Sequence, residues 1–354
     1  MKRVCVSTLC DLTSFGSVLQ AYALKQALRE LGAESFILRE KPLSAELRPH
    51  RGRSPQTLLL NLHQRFIRSK LEAGLQGTKA FTDESLDFYI YHSDEKLREQ
   101  CPPAELYLAG SDQVWNPKKL LPVHFMEFAP DPARKVSYAA SMGLPKLTDA
   151  QAEWILPRLA RFDAISVREL DGAEALGTRM GRAVSRNVDP VFLNKTEDWV
   201  RLAERKPYPL SGPYILVYPI YWDHALNARL KALHKKTGLP IILLSSQLRE
   251  IYATKTIYDA DLLQFLWLVR HAAAVVSSSF HGVSMSILFH RPFSAVINPA
   301  DASRLTSLLS VLGLNNLDLS ELPDGKQDFS EADKRIAAER DSGLSYLKEV
   351  LRFE

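Results

Sequence analysis

Gly110-Ser111-Asp112-Gln113-Val114-Trp115-Asn116-Pro117 follows the apolar run Leu106-Tyr107-Leu108-Ala109, and this junction decides how the chain is read. Four apolar residues bounded by turn residues read as a buried strand. A strand that stops at Gly-Ser-Asp delivers a hydroxyl, a carboxylate and an amide to the carboxyl edge of a sheet, where open α/β folds bind their ligands. The string has a plainer reading as well, a strand-to-loop turn with a packed Trp115, because Gly, Asp, Asn and Pro are ordinary turn residues. Both readings put 106–109 in a sheet.

Outward from that strand, short apolar runs alternate with amphipathic helices, the pattern of βα units and a parallel sheet. Residues 3–9 read as the first strand. A helix over about 16–31 places Val18, Ala21, Leu24, Leu28 and Leu31 on one face and stops at Gly32. Further strands are expected at 35–38, 105–109, 135–140, 163–167 and 183–188. The stretch 206–213, rich in Pro and Gly, reads as a linker. A second set follows: strands at 214–218, 241–244, 274–277 and 293–297, with helices around 223–236, over 261–271 and from 280. The expected fold is α/β, two Rossmann-like domains facing one cleft, over 1–205 and 206–329, with a charged terminal helix in 330–354 packing back across the junction.

At 354 residues the chain exceeds what one core usually serves, which agrees with two domains. A net charge of +4 and a pI near 8.8 suit an anionic substrate or an anionic membrane face. That charge is too weak to argue for nucleic acid, and no nucleic-acid motif is present. Cys5, Cys10 and Cys101 are an odd, widely spaced set that fits a reducing compartment. With no signal region at the amino terminus and no apolar run near the ~20 residues of a membrane span, a soluble cytoplasmic protein is expected.

Residues 39–79 break the alternation and carry nine Lys/Arg against three Glu. Within them Leu58, Leu59, Leu62 and Phe66 fall on one helical face, near Arg65, Arg68 and Lys70. Such a helix either lies peripherally on an anionic membrane or packs on the domain as a solvated insertion.

Two more junctions carry chemistry. In 11–20, Gly16 and Ser17 stand where a helix begins, so free backbone N–H groups and the dipole make an anion site, or Ser14 or Ser17 simply caps the helix. In Val275-Val276-Ser277-Ser278-Ser279-Phe280-His281-Gly282 a strand ends in three hydroxyls, and a histidine lands in the next helix's first turn. The dipole works against a charged imidazole there and a bound dianion works for it. His281 is therefore expected to become a proton donor when substrate arrives. Arg168, after 163–167, is a candidate for a bidentate grip on an anion or a surface residue paired with Glu169 or Asp171. Arg304, opening the helix after 298–303, is a second cation. There is no metal-ligand spacing, no phosphate-loop lysine, no nucleophile elbow and no dinucleotide fingerprint.

GSDQVWNP resembles the signature of the polysaccharide pyruvyltransferase family. Phe15-Gly16-Ser17-Val18-Leu19-Gln20-Ala21-Tyr22-Ala23-Leu24 is similar to a second family block, with Ser14 where Asn is usual. Residues 277–282 resemble a third, usually Thr-Asp-Ser-Phe-His-Gly, with Ser278 where Asp is common. Residues 137–143, 165–169 and 188–190 resemble further blocks in the same order, so the resemblance spans 11–314. It implies a GT-B-like glycosyltransferase architecture and transfer of pyruvate from phosphoenolpyruvate to two sugar hydroxyls as a ketal, with release of phosphate. No cofactor or metal is implied. His281 would be the general acid, and Arg168 and Arg304 the cations. Ser279 and Gly282 would complete the donor side, in 206–329. Asp112 would serve catalysis and, with Gly16, Ser17, Ser111 and Gln113, the acceptor, in 1–205. The acceptor would be a sugar or lipid-linked oligosaccharide of a surface polysaccharide pathway in the cell envelope. A nucleotide-sugar glycosyltransferase would share the cleft and differ in its donor. A non-catalytic sugar-binding relative would accommodate the departures at Ser14 and Ser278.

Overall fold

The structure, a computed structural model, describes residues 2–41, 54–118, 120–144, 147–245, 251–299, 302–324 and 327–352, without the side chains at 56, 59, 60, 63, 64, 66 and 224. Five strands, β1 (Lys2–Ser7), β2 (Ala33–Arg39), β3 (Phe88–Ile90), β4 (Leu106–Ala109) and β5 (Lys135–Ser137), form a parallel sheet in the order β3-β2-β1-β4-β5. A short parallel pair, β6 (Ser166–Val167) and β7 (Ser185–Arg186), continues it through single bridges from Val136 to Ala164 and from Ala140 to Val167. The second sheet holds β8 (Ile215–Tyr218), β9 (Ile241–Leu244), β10 (Lys255–Ile257), β11 (Ala274–Ser277) and β12 (Phe293–Ala295) in the order β10-β9-β8-β11-β12. Both orders are doubly wound, with the reversal beside the first strand of each sheet. The two Rossmann-like domains follow from this.

Eleven helices are described: α1 (Phe15–Glu30), α2 (Pro55–Ser85), α3 (Asp94–Glu99), α4 (Asp149–Leu159), α5 (Leu170–Met180), α6 (Thr196–Glu204), α7 (His224–Thr237), α8 (Leu262–His271), α9 (Phe280–Leu288), α10 (Ser303–Leu312) and α11 (Ser330–Val350). The central strands β1, β4, β8 and β11 read as near-continuous apolar runs because helices cover both faces of their sheets. β5 ends at Ser137, short of the expected 135–140, because Ala139 turns to φ 48° and breaks the pleat.

Helices join the domains. Phe15 at the start of α1 stacks on Phe265 of α8 with ring centroids 4.9 Å apart. The carboxyl half of α2 lies on α8, where the Thr78 hydroxyl accepts the Leu262 N–H at 3.1 Å. α11 returns to the first domain: the Tyr346 hydroxyl donates to the Ser137 carbonyl at 2.9 Å, and Arg340 donates to the carbonyls of Phe192 and Asn194.

The insertion is mainly α2, a helix of 31 residues capped by Ser54, whose side chain accepts the Thr57 N–H. Leu71 and Leu75 pack inward, while Leu58 and Leu62 are 57% and 53% exposed. At about 100° per residue, Leu58 and Leu62 lie on the side of the helix away from Leu71 and Leu75. Arg65, Arg68 and Lys70 are exposed, and Arg68 pairs with Glu72 at 2.7 Å. The side chains of Leu59 and Phe66, and the basic residues Arg48, Arg51 and Arg53, lie outside what is described. No helix among the described residues is long and apolar enough to cross a membrane.

Candidate active site

The carboxyl ends of β1 and β4 face those of β8 and β11 across a cleft of about 1990 Å³, its open mouth included. In a doubly wound sheet the loops after these central strands diverge and leave a crevice. Here two crevices oppose each other. Gly16, Ser17, Asp112 and Gln113 line one wall; Ser279, His281 and Arg304 line the other. Ser111, Arg168 and Gly282 do not line it, and each has a buried role close behind.

The second wall is organised by hydroxyls. Ser279 caps α9, its side chain accepting the Gly282 N–H at 3.3 Å. Ser277 donates to the Tyr218 carbonyl at 2.7 Å and accepts the Ser279 N–H at 3.1 Å, which ties β11 to β8. A side chain at 282 would strike the Ser277 hydroxyl, so glycine is required there. Ser278 accepts the N–H groups of Ile220 and Tyr221 at 2.8 and 2.7 Å and shapes the cleft edge. The same hydroxyl donates to the Tyr221 carbonyl at 2.8 Å, a bond an ionised carboxylate could not make.

His281 sits in the first turn of α9 and is pressed between the domains. An ideal Cβ on Gly16 would fall 2.6 Å from its Cγ and closer still to Nδ1, so the ring occupies the space that the glycine leaves open. Its Nε2 is 3.4 Å from Oδ2 of Asp189, an ion-pair distance and long for a hydrogen bond. The imidazole therefore does not stand alone against the helix dipole; a buried carboxylate faces it.

That carboxylate belongs to a buried network. Arg168 donates from Nη1 to Asp189 Oδ2 at 2.6 Å, and its Nε is 3.3 Å from Glu169 Oε1. Ser141 donates to the same Glu169 oxygen at 2.6 Å, and Ser111 Oγ donates to the Ala139 carbonyl while standing 3.3 Å from Asp189 Oδ2. The Arg168 and Asp189 side chains are 4% and 0% exposed. Burial by itself would raise the Asp189 carboxyl, yet His281 and Arg168 together hold it well below the usual carboxylate range. Arg168, expected to grip substrate, spends Nε and Nη1 on two carboxylates and lies 4.2 Å over the Phe280 ring, while its Nη2 is buried without a hydrogen-bond partner. Asp189 was not singled out from the sequence. Its signals are its place at a strand end before Pro190 and its position within the block 188–190.

On the first wall, Asp112 adopts φ 68°, an uncommon conformation that Asp tolerates better than most residues. Its carboxylate accepts the Gln113 N–H at 2.8 Å, and its carbonyl accepts the Ser141 N–H at 2.9 Å. Trp115 is fully buried, stacks on Phe125 with centroids 5.9 Å apart and donates to the His124 carbonyl at 3.1 Å. The two readings of GSDQVWNP are thus compatible, since a packed Trp115 is what holds Asp112 and Gln113 at the cleft. Gln113 accepts from the Asn116 amide at 2.8 Å. Ser17 accepts the Asp11 N–H and donates to the Ser14 carbonyl, both at 2.9 Å, while the Ser14 side chain makes no cap. Arg39 and His124 also line the cleft, and neither was anticipated as a site residue.

A family model for polysaccharide pyruvyl transferase matches residues 15–299. No curated protein matches the chain. Among solved structures, the UDP-GlcNAc 2-epimerase of Neisseria meningitidis bound to UDP-GlcNAc superposes with a TM-score of 0.55 at 9% identity, covering 99% of each chain. A Listeria monocytogenes protein provisionally described as a UDP-N-acetylglucosamine 2-epimerase superposes with a TM-score of 0.51 at 10% identity, over 99% of this chain and 91% of its own. The glycosyltransferase SnogD of Streptomyces nogalater reaches 0.43 at 13% identity, over 98% and 95%. The fold is the one these two 2-epimerase structures share, a pair of facing Rossmann-like domains.

Proposed function

The chain belongs to the polysaccharide pyruvyl transferase family, and from that premise we propose that it transfers pyruvate from phosphoenolpyruvate to two hydroxyls of a sugar as a ketal, releasing phosphate. The observation that carries this reading is His281, held between Gly16 and Asp189 at the mouth of α9. A carboxylate behind an imidazole fixes the way the ring faces. Nε2 faces Asp189, which leaves Nδ1, over Gly16, as the nitrogen that gives its proton to the methylene carbon of phosphoenolpyruvate. The central carbon then becomes electrophilic, a sugar hydroxyl adds, phosphate departs, and the second hydroxyl closes the ketal.

The donor's two anionic ends need positive charge. Arg304 and the amino end of α9 supply it at the cleft. Arg168 acts here as a positioning residue that fixes Asp189, and through it His281. Asp112 and Gln113, with Gly16 and Ser17, form the acceptor side. The outward face of α2, with Leu58, Leu62 and Arg65, would let the protein dwell on an anionic bilayer that carries a lipid-linked acceptor. The reading is tested by incubating the protein with phosphoenolpyruvate and a panel of sugars and identifying the product. A pyruvate ketal supports it, and transfer of a glycosyl group from a nucleotide sugar refutes it.

A further inference from the structure

Resting on that reading, we propose that His124 is a second acceptor-side group, receiving at Nε2 the proton of one hydroxyl of the sugar diol while Asp112 engages the other. The geometry is particular. His124 follows the GSDQVWNP turn, lines the cleft with Asp112, and is only 5% exposed. Its Nδ1 is 2.8 Å from Ser7 Oγ at the end of β1, and its carbonyl is pinned by the Trp115 indole at 3.1 Å. Backbone and one ring nitrogen are thus both fixed. The other nitrogen, Nε2, is buried without a hydrogen-bond partner.

Buried polar atoms are nearly always satisfied, and an exception beside a cleft asks for a ligand atom. In the tautomer whose Nδ1–H donates to Ser7, the Nε2 lone pair is left to accept a hydroxyl proton. Burial pushes the ring down to about 4, although the Asp112 carboxylate pulls the other way, so the imidazole is neutral at neutral pH. A neutral acceptor beside a carboxylate suits a diol, because each hydroxyl must lose a proton. As the first hydroxyl oxygen bonds the central carbon of the donor, its O–H electrons form that bond and its proton moves to a base. The balance closes without another reactant: one hydroxyl proton replaces the one His281 gave to the new methyl group, and the other leaves with phosphate.

His124→Asn keeps a polar atom where Nδ1 contacts Ser7 and removes Nε2; His124→Gln keeps a polar atom near Nε2 and gives up the Ser7 contact. We expect His124→Asn to lower kcat/KM for the acceptor by ~10²-fold with phosphoenolpyruvate affinity unchanged, and His124→Gln to recover part of the loss. The ¹⁵N signal of His124 Nε2 in the intact protein should move on adding the productive sugar and stay still on adding phosphoenolpyruvate alone. An active wild type matched by His124→Asn, or a signal indifferent to the sugar, overturns the assignment and leaves the transferase reading intact. Equal losses for donor and acceptor would mark a merely structural histidine. A wild type that neither releases phosphate nor binds any sugar overturns both.

Discussion

The imidazole of His281 fills the space in which any side chain on Gly16 would lie, with an ideal Cβ only 2.6 Å from its Cγ. Two residues from different domains and different sequence blocks thus define one position. Gly16→Ala must displace either the ring or α1. We expect it to reduce turnover by ~10²-fold, the usual consequence of a ~1 Å misplacement of a catalytic group, with overpacking of about 1–3 kcal/mol. Steady-state rates with thermal unfolding check this, and full activity in Gly16→Ala would detach the glycine from the site.

Arg168 and Arg304 should separate kinetically. Arg168→Lys keeps a charge but loses the fork that holds Asp189 and Glu169, so kcat should fall with little change in donor KM. Arg304→Met should raise donor KM. A raised donor KM with unchanged kcat in Arg168→Lys would place Arg168 on the donor instead. Asp189→Asn, which leaves Arg168 buried and less well paired, should cost about 3–5 kcal/mol in urea unfolding.

His124 makes stability depend on pH in a predictable sense. Its folded value of about 4 lies below the ordinary 6.5, so between these values the unfolded chain binds the extra proton. Stability is therefore full above about pH 6.5 and falls as pH drops toward 4. Between pH 7.5 and 4.5 this one group should remove about 2–3 kcal/mol. Urea titrations of the wild type and His124→Asn at both pH values measure it. The wild type should lose more than the variant, and equal losses would show that the ring does not titrate as described.

Much of this was legible in the sequence, for identifiable reasons. Central strands such as 106–109 and 274–277 are buried on both faces and announce themselves as apolar runs. β3 and β10 were not anticipated, because these three-residue edge strands are only partly buried, unlike the fully buried edge strand β12. The blocks around Gly16, Asp112 and His281 mark the cleft because each stands at a strand's carboxyl end. Which charges meet could not be read in the same way. Arg168 and Asp189 are 21 residues apart and join only because β6 and β7 lie side by side. His124 lies in a single 3₁₀ turn, Pro122–Phe125, too short to carry a pattern, and its contacts with Trp115 and Ser7 hold it at the cleft.

The outward face of α2 predicts weak, salt-sensitive binding to anionic vesicles. Leu58 and Leu62 supply apolar area, and Arg65 and Lys70 would add up to ~1 kcal/mol each near an anionic surface. Sedimentation at low salt should be lost in Arg65→Glu/Lys70→Glu and weakened in Leu58→Ser/Leu62→Ser. A wild type indifferent to vesicles at low salt would leave α2 as a solvated insertion.

The central claim is that His281, backed by Asp189, protonates phosphoenolpyruvate when a sugar acceptor is present. The most direct measurement is phosphate release from phosphoenolpyruvate, with and without each sugar of a panel, for the wild type and His281→Ala. The account predicts release that depends on one acceptor and falls ~10²–10⁴-fold in a folded His281→Ala. No acceptor-dependent release by the wild type, or an undiminished rate in His281→Ala, would contradict it.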